Sequence, residues 1–414
     1  MASGEWLVAS GLRILFILLI GSIGVQTKVN AATQRELESF WNSGFPAARI
    51  ENDTIYRGDA WVWNAAVQNK KGKTDSLTFA KLAQIEIGSP VVLSQVPRAE
   101  RSLLRMGYFS KTGETKFYRI ENRNRLVPAF NLTDATANFA EASIAFDGSS
   151  KEYNGLAKVQ LMNIAGSARD FSLSGENSKN YRAAEIFYKE PFIFNLRGSL
   201  KLHGEFVECD SIRQRNADLK YIHNLGWEWR YGVGGGYKNN KLFSSLLLGY
   251  DNRDKVPLAF KGLFAEMSAE FSEFVAAGLN GGYYQPFSKN WTLLLAAKGF
   301  GMLPSKDYER EDLFLIGGKD NFIGLTPRSI RTRAYGLTEM DFQWHGLKKS
   351  ALHIFGQNGI YRNRMPFRGW EHILTYGLGW EQGISNASLA IYYALSQGMQ
   401  PMDGLLNLSV RIGF

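Results

Sequence analysis

The last ten residues, "LLNLSVRIGF" (Leu405–Phe414), decide how the rest of the chain is read. Leu406, Leu408, Val410, Ile412 and Phe414 fall on one face of an extended segment. Asn407, Ser409, Arg411 and Gly413 fall on the other. Strict alternation of this kind predicts a β-strand with one apolar face. A single such strand fits a soluble sandwich as well as a strand against lipid. What separates the two is whether the pattern recurs, and what occupies the second face.

It recurs. In "WEWRYGVGGGYK" (Trp227–Lys238), Trp227, Trp229, Tyr231, Val233 and Tyr237 oppose Glu228, Arg230 and three glycines. "NLRGSLKLHGEF" (Asn195–Phe206) sets Leu196, Leu200, Leu202 and Phe206 against Arg197, Ser199, Lys201, His203 and Glu205. "SLAIYYAL" adds Leu389, Ile391, Tyr393 and Leu395. Lys, Arg, Glu and His along a second face would be costly in a packed core, but they suit a wet lumen.

Segments beginning near Ala137, Leu156, Arg169, Arg182, Asn195, Ile212, Trp227, Leu242, Lys261, Val275, Trp291, Arg333, Ser350, His372, Ser385 and Leu405 give about sixteen strands. An even number lets an antiparallel sheet close with both ends on one side, and closure satisfies every backbone group in lipid. The expected fold is an all-β transmembrane barrel over residues 137–414. "AGSA", "HNLG", "HGLKK" and "QGISN" read as tight turns on one side. The other side carries "LFLIGGKDNFIGLTPRSIRTRAYG" (Leu313–Gly336) and "YRNRMPFRGWE" (Tyr361–Glu371), so short turns at one end and longer loops at the other are expected.

Composition agrees. Of 414 residues, 45% are hydrophobic and 13% aromatic, with 42 glycines, which excludes general disorder and leans towards an aromatic-rich β protein. Arg13 precedes the apolar run "ILFILLIGSIGV", which is too short for a spanning helix. Residues 1–31 therefore read as an export signal, cleaved near Ala31, with an uncleaved anchor as the alternative. Removing Arg13, Lys28 and Glu5 leaves +8 of the formal +9. The basic residues are scattered, which argues against a nucleic-acid groove. Cys209 is the single cysteine, so no internal disulfide and no cysteine-type metal cluster is expected; a short external turn is its expected place.

Residues 32–136 differ. "TQRELESFWNSGFPAARI" reads as a short amphipathic helix stopped by Gly44 and Pro46 and followed by a strand. "AWVWNAAVQNKKGK" is strand-like, "SPVVLSQVPRAERSLLRMGYF" carries a helix ending near Gly107, and "KFYRIENRNRLVPAF" returns to strand. The expectation is a small α+β region of one to one and a half modules.

The glycine-rich stretch at Leu313–Gly336 raises a phosphate-binding reading, which its context rejects. A phosphate loop runs from strand directly into helix with Lys and Ser/Thr after the last glycine. Here Leu325 follows Gly324, and the next element alternates as a strand, with Met340, Phe342 and Trp344 opposite Glu339, Asp341, Gln343 and His345. No G-x-S-x-G or H-E-x-x-H stretch occurs. His203, His223, His345, His353 and His372 are scattered, and lumen-facing positions account for at least His203, His345 and His353. No enzyme, cofactor or metal is expected.

Several stretches resemble, in order, the bacterial surface antigen barrels: the BamA/TamA-like outer-membrane assembly factors and the two-partner secretion transporters. "NIAGSAR" (Asn163–Arg169) resembles their "N-l-f-G-t-G-r" turn, and "YKEPFIF" (Tyr188–Phe194) their "Y-x-E-P-x-l-f" strand end. "SGFPAARI", with Gly44 and Phe45, and "LLRMGYF", with Gly107, Tyr108 and Phe109, resemble pieces of their polypeptide-transport-associated (POTRA) domains. "FLIGGKDNFIGL" resembles the "lGG-x-x-s-l-R-G-f" loop that enters the barrel after its eleventh strand. The strand count above places it in that same interval.

The resemblance carries a departure. Aligned on Gly317, Gly318 and Gly324, the family's loop arginine falls on Ile323, and its aspartate partner on Gln357 in "FGQNG". Losing one member of a buried ion pair costs about 3–5 kcal/mol, whereas replacing both can be nearly neutral. Glu339 stands at the family's inward acidic position on the twelfth strand. The resemblance therefore implies a loop still tucked inside, held by Phe322, Leu325 and a relocated arginine, with Arg328, Arg331 or Arg333 serving Glu339.

What the resemblance implies for function is an outer-membrane insertase or translocase that assists unfolded client proteins without nucleotide. A dedicated two-partner secretion pore or a structural surface scaffold are the alternatives. The first strand, near Ala137–Gly148, and the last, Leu405–Phe414, would meet at a weakly paired seam that a client strand joins by β-augmentation. Val410, Ile412 and Phe414 would form the terminal insertion signal. The implied partners are the outer-membrane bilayer, client proteins or one secreted partner, and periplasmic accessory subunits contacting an N-terminal region in the periplasm.

Overall fold

The computed structural model describes residues 5–6 and 31–414, apart from 52–53, 71, 121–122, 136–137, 194–196, 210–211, 257, 304–308, 319–320, 347–349, 363–368 and 385–386. Most of the expected export signal, and Ala137, therefore lie outside the described residues. The chain divides into two compact units. One comprises Met1–Ala135 with Ala165–Ala168; the other comprises Thr136–Ile164 and Arg169–Phe414.

The second unit is a closed barrel of sixteen antiparallel strands. They are β1 (Phe139–Asp147), β2 (Glu152–Leu161), β3 (Asp170–Asn177), β4 (Tyr181–Pro191), β5 (Gly198–Cys209), β6 (Ile212–Leu225), β7 (Trp229–Lys238) and β8 (Lys241–Asp251). There follow β9 (Gly262–Phe271), β10 (Val275–Pro286), β11 (Trp291–Met302), β12 (Ala334–Trp344), β13 (Ser350–Arg362), β14 (Trp370–Ile384), β15 (Ala387–Ser396) and β16 (Leu405–Gly413). Each strand pairs with its sequence neighbour, and β16 returns to β1.

The alternation read from the sequence sorts the two faces. Ile144, Leu173, Ile186, Leu202, Leu219, Val233, Leu246, Met267, Leu279, Leu295, Met340, Ile354, Leu378 and Leu408 are all exposed, one from each of fourteen strands. Exposed side chains of this size around a whole circumference form a band suited to lipid. The intervening positions carry ion pairs. His203 meets Asp218 at 3.0 Å and Glu185 at 3.3 Å, Arg230 meets Glu266 at 2.7 Å, and Lys189 meets Asp170 at 3.0 Å.

Two expectations need correction. The seam is not weakly paired. β1 and β16 share nine residue pairs from Phe139↔Gly413 to Asp147↔Leu405, against seven between β2 and β3. Glu141 reinforces it, accepting from Ser409 Oγ at 2.9 Å and Arg411 Nη2 at 2.9 Å. The four turns and the two long loops named from the sequence do fall at opposite ends, but the wider division into short turns at one end and long loops at the other fails. At the end that carries the β11–β12 loop, the connections 148–151, 178–180, 210–211, 239–240 and 272–274 are all short, while 252–261 at the opposite end is long. Asn239 and Asn240 show the cause at one of them: both take positive φ (50° and 67°), which closes a two-residue hairpin matched to strand twist.

The first unit packs helices Ser76–Ala83 and Gln95–Arg105 near a small sheet in which Arg125–Phe130 pairs antiparallel with Lys116–Ile120. The same strand runs parallel to Val62–Trp63 and Val67–Gln68. Trp63, Phe79, Leu103 and Phe130 are buried, with Phe79 and Phe130 centroids 5.7 Å apart. The helix at Ser76–Ala83 was not anticipated. Its start is set by Asp75, whose carboxylate accepts from Leu77 N at 3.0 Å and Thr78 N at 2.9 Å.

Candidate functional site: the loop inside the barrel

The connection between β11 and β12 begins and ends with a short ladder, Phe314–Ile316 against Ile330–Thr332. At its turn Gly317 and Gly318 take φ of 115° and 85°. A Cβ on Gly317 would stand 2.3 Å from the Thr326 carbonyl, so only glycine fits there. Gly318 N then donates to the carbonyls of Phe322 and Leu325, at 3.1 and 2.9 Å, which folds Asn321–Leu325 into a compact tip.

The tip is pressed into the wall. Phe322 is fully buried in a cluster with Ile316, Tyr335, Leu337 and Tyr361, and Leu325 packs against that cluster. Its ring lies where a side chain on Gly359 would be, since a Cβ there would be 2.2 Å from Phe322 Cε1. Gly324 sits so close to the wall that a Cβ would touch Leu395 O and Thr375 Cβ, each at 3.0 Å. Burying a phenylalanine is worth about 1.5–3 kcal/mol, the largest apolar contribution the loop makes.

Polar contacts fix its register. Gln357, on β13, is buried and uses all four of its hydrogen-bonding capacities. Its Oε1 accepts from Ile323 N at 2.9 Å and Thr375 Oγ1 at 3.0 Å. Its Nε2 donates to Asn321 O at 3.2 Å and to Glu339 Oε2 at 2.7 Å. Ser396 Oγ on β15 donates to Gly324 O at 2.7 Å, and Thr326 Oγ1 donates to Asp147 Oδ2 on β1 at 2.6 Å.

The relocated arginine does not serve Glu339, which corrects that expectation. Arg328 reaches Glu176 on β3 (3.4 Å) and Glu205 on β5 (3.3 Å). Arg331 Nη2 donates to the Cys209 carbonyl at 2.9 Å, and the Arg333 carbonyl accepts from Met302 N at 3.0 Å. Glu339 is held by neutral Gln357 instead, its direct neighbour across the β12–β13 ladder. The positions aligned with the family's charge pair, Ile323 and Gln357, thus still meet, through a backbone N–H and an amide oxygen. Since β5 and β13 lie eight strands apart in a sixteen-strand barrel, a loop bound to both crosses the lumen.

More anchors lie at the base of the loop. Gln214 Nε2 on β6 donates to Glu311 O at 2.6 Å and Leu313 O at 3.2 Å, and Lys241 Nζ on β8 meets Asp312 at 3.0 Å. Sequence reading missed these, because no local pattern reports a partner some seventy to a hundred residues away. Cys209 ends β5 beside the 210–211 connection, buried with Tyr181 and Val207.

The other expected sites are dispersed. Val410 and Ile412 point outward on β16; Phe414, just past its end, is also exposed, and its N–H donates to Asn138 O at 3.1 Å. Gly44 (φ 97°), Phe45, Gly107 (φ 76°), Tyr108 and Phe109 belong to the first unit. There Tyr108 and Phe109 are buried, and the Arg57 guanidinium lies 3.6 Å over the Phe45 ring.

No protein-family model matches the sequence, and no curated protein matches it. Solved structures do. CdiB from Acinetobacter baumannii aligns over 98% of this chain and 88% of its own, with a TM-score of 0.61 and 13% identity. CdiB from Escherichia coli aligns over 99% and 88%, with a TM-score of 0.60 and 12% identity. BamA from Haemophilus ducreyi lacking POTRA domains 1–3 aligns over 95% and 94%, with a TM-score of 0.53 and 13% identity. This chain, with its closed sixteen-strand barrel, shares the fold of these structures.

Proposed function

We propose that this chain is an outer-membrane insertase or translocase that assists client polypeptides into or across the membrane without nucleotide. The observation that carries this reading is the closed barrel whose β11–β12 loop crosses and ties the lumen. A barrel built only as a scaffold has no need of a glycine-shaped loop seated among glycines of its own wall. The work is done by strand pairing and by client folding, with no chemical step. The first unit acts in the periplasm as a POTRA-like module that receives unfolded segments by strand addition, and residues 1–31 are the export signal.

A second reading is a dedicated secretion pore. The fully paired β1–β16 seam favours it, because a client passing through the lumen leaves that ladder intact. Depletion followed by outer-membrane proteomics tests both. Loss of many barrel proteins fits insertion, and loss of one secreted partner from the medium fits the pore. An unchanged outer membrane and secretome would overturn both.

A further inference from the structure

A cavity of about 180 Å³ lies beside the loop tip, bounded by Ile323, Glu339, Asp341, His353, Phe355, Tyr392 and Asn407. Its polar lining is unbalanced. Glu339 and Asp341 project from successive inward positions of β12, and neither meets a Lys or Arg within ion-pair distance among the described residues. Asp341 spends Oδ2 on Gln343 Nε2 (2.8 Å) and on His353 Nδ1 (2.9 Å). Its Oδ1 is buried with no partner, and so is His353 Nε2; both residues are more than nine-tenths buried. A buried carboxylate oxygen without a partner and a second carboxylate therefore belong to the lining of one space, beside the His353 ring. Asn407 Nδ2 is also unpartnered there, on an amide that can turn its oxygen inward.

The remaining walls are aromatic. The Tyr392 ring stands 5.6 Å from His353 and 6.2 Å from Phe355. Ile323, Glu339, Tyr392 and Asn407 keep partial exposure, so the cavity is reachable from the lumen. A site that offers acceptors, negative charge and aromatic faces is complementary to a cation rich in N–H donors.

We infer that this cavity binds an organic cation, a guanidinium or primary ammonium group, supplied by a free small molecule or by a basic side chain of a polypeptide in the lumen. The group sits between Asp341 and Glu339, donates to Asp341 Oδ1, and stacks against Phe355 and Tyr392. The inference does not depend on the transport reading, since it concerns the resting barrel.

The test is calorimetric titration of the detergent-solubilised full chain with agmatine and, in parallel, with the peptides Gly-Arg-Gly and Gly-citrulline-Gly. Saturable binding of agmatine alone identifies a free small cation as the ligand. Binding of Gly-Arg-Gly but not of the citrulline peptide identifies a side chain. In either case Glu339→Gln and Asp341→Asn each weaken binding about tenfold or more. Ile323→Arg, which puts a guanidinium into the cavity from the loop itself, abolishes it. Because Asp341 is buried, the partly exposed Glu339 supplies the variant least prone to misfolding. No saturable binding by the unaltered chain, or binding unchanged in Glu339→Gln and Ile323→Arg, would overturn the inference and leave the cavity to water.

Discussion

Gln357 Oε1 accepts from Ile323 N at 2.9 Å, so the wall holds the loop by its backbone and leaves the Ile323 side chain free of that task. Gln357→Leu strands the Ile323 amide, the Thr375 hydroxyl and Glu339 together. At about 1–3 kcal/mol for each buried polar group left unpaired, thermal unfolding in detergent shifts down clearly. Proteolysis within Asn321–Leu325 accelerates. Ile323→Arg combined with Gln357→Asp is tolerated better than Ile323→Arg alone; equal damage from both would show that the two positions are not coupled.

Phe322→Ala removes a fully buried ring and costs about 3–5 kcal/mol. Gly359→Ala produces a related defect by another route, since its methyl meets the same ring. The pair is then non-additive: Gly359→Ala costs less in a Phe322→Leu background than in the unaltered chain. Additive losses in a double-mutant unfolding cycle would mean the contact is not made.

Arg328 binds two carboxylates from a lumen that admits water, so its grip is electrostatic and screened. Arg328→Ala frees the middle of the loop while Phe322 keeps the tip in place. Fluorescence from a probe on the loop gains mobility, and raising salt from low to high reproduces part of that gain in the unaltered chain. Mobility insensitive to both changes would contradict the assignment.

Ser143 and Ser409 are direct partners across the seam. In a Cys209→Ser background, Ser143→Cys with Ser409→Cys forms an oxidisable staple across it. Insertion through an opened seam stops on oxidation and resumes on reduction. Transport through the lumen is unaffected, which separates the two proposed functions in one assay.

Asp75 caps the helix Ser76–Ala83, and its bond to Thr78 is the main cause that holds its carboxyl below the ordinary carboxylate range. A depressed folded-state pKa contributes stability above the unfolded value, lost as pH falls through the folded one. Asp75→Ala costs the first unit about 1 kcal/mol near neutrality. The loss shrinks in acid, as urea unfolding at two pH values will show.

The barrel was legible because alternation is local. Each strand carries its own face assignment, as Leu406 to Phe414 do, and sixteen such segments leave few ways to close. The loop interval was legible for the same reason, bracketed by Trp291–Met302 and Ala334–Trp344. Partner choice was not. Arg328 finds Glu176 and Glu205 rather than Glu339 because strand order and barrel diameter decide which wall it reaches, and no spacing in the chain encodes that distance. The helix at Ser76–Ala83 was missed for a different cause: at eight residues it barely completes two turns, and its signal is one cap.

The central claim is that polypeptide passes along the lumen or the seam of this barrel. A photo-crosslinking amino acid at Ser143, inward on β1 at the seam, is compared in living cells with one at Leu246, outward on β8 and far from the seam. The account predicts polypeptide adducts at Ser143 and only lipid adducts at Leu246. Lipid or no adduct at both positions, with the barrel correctly assembled, would contradict it.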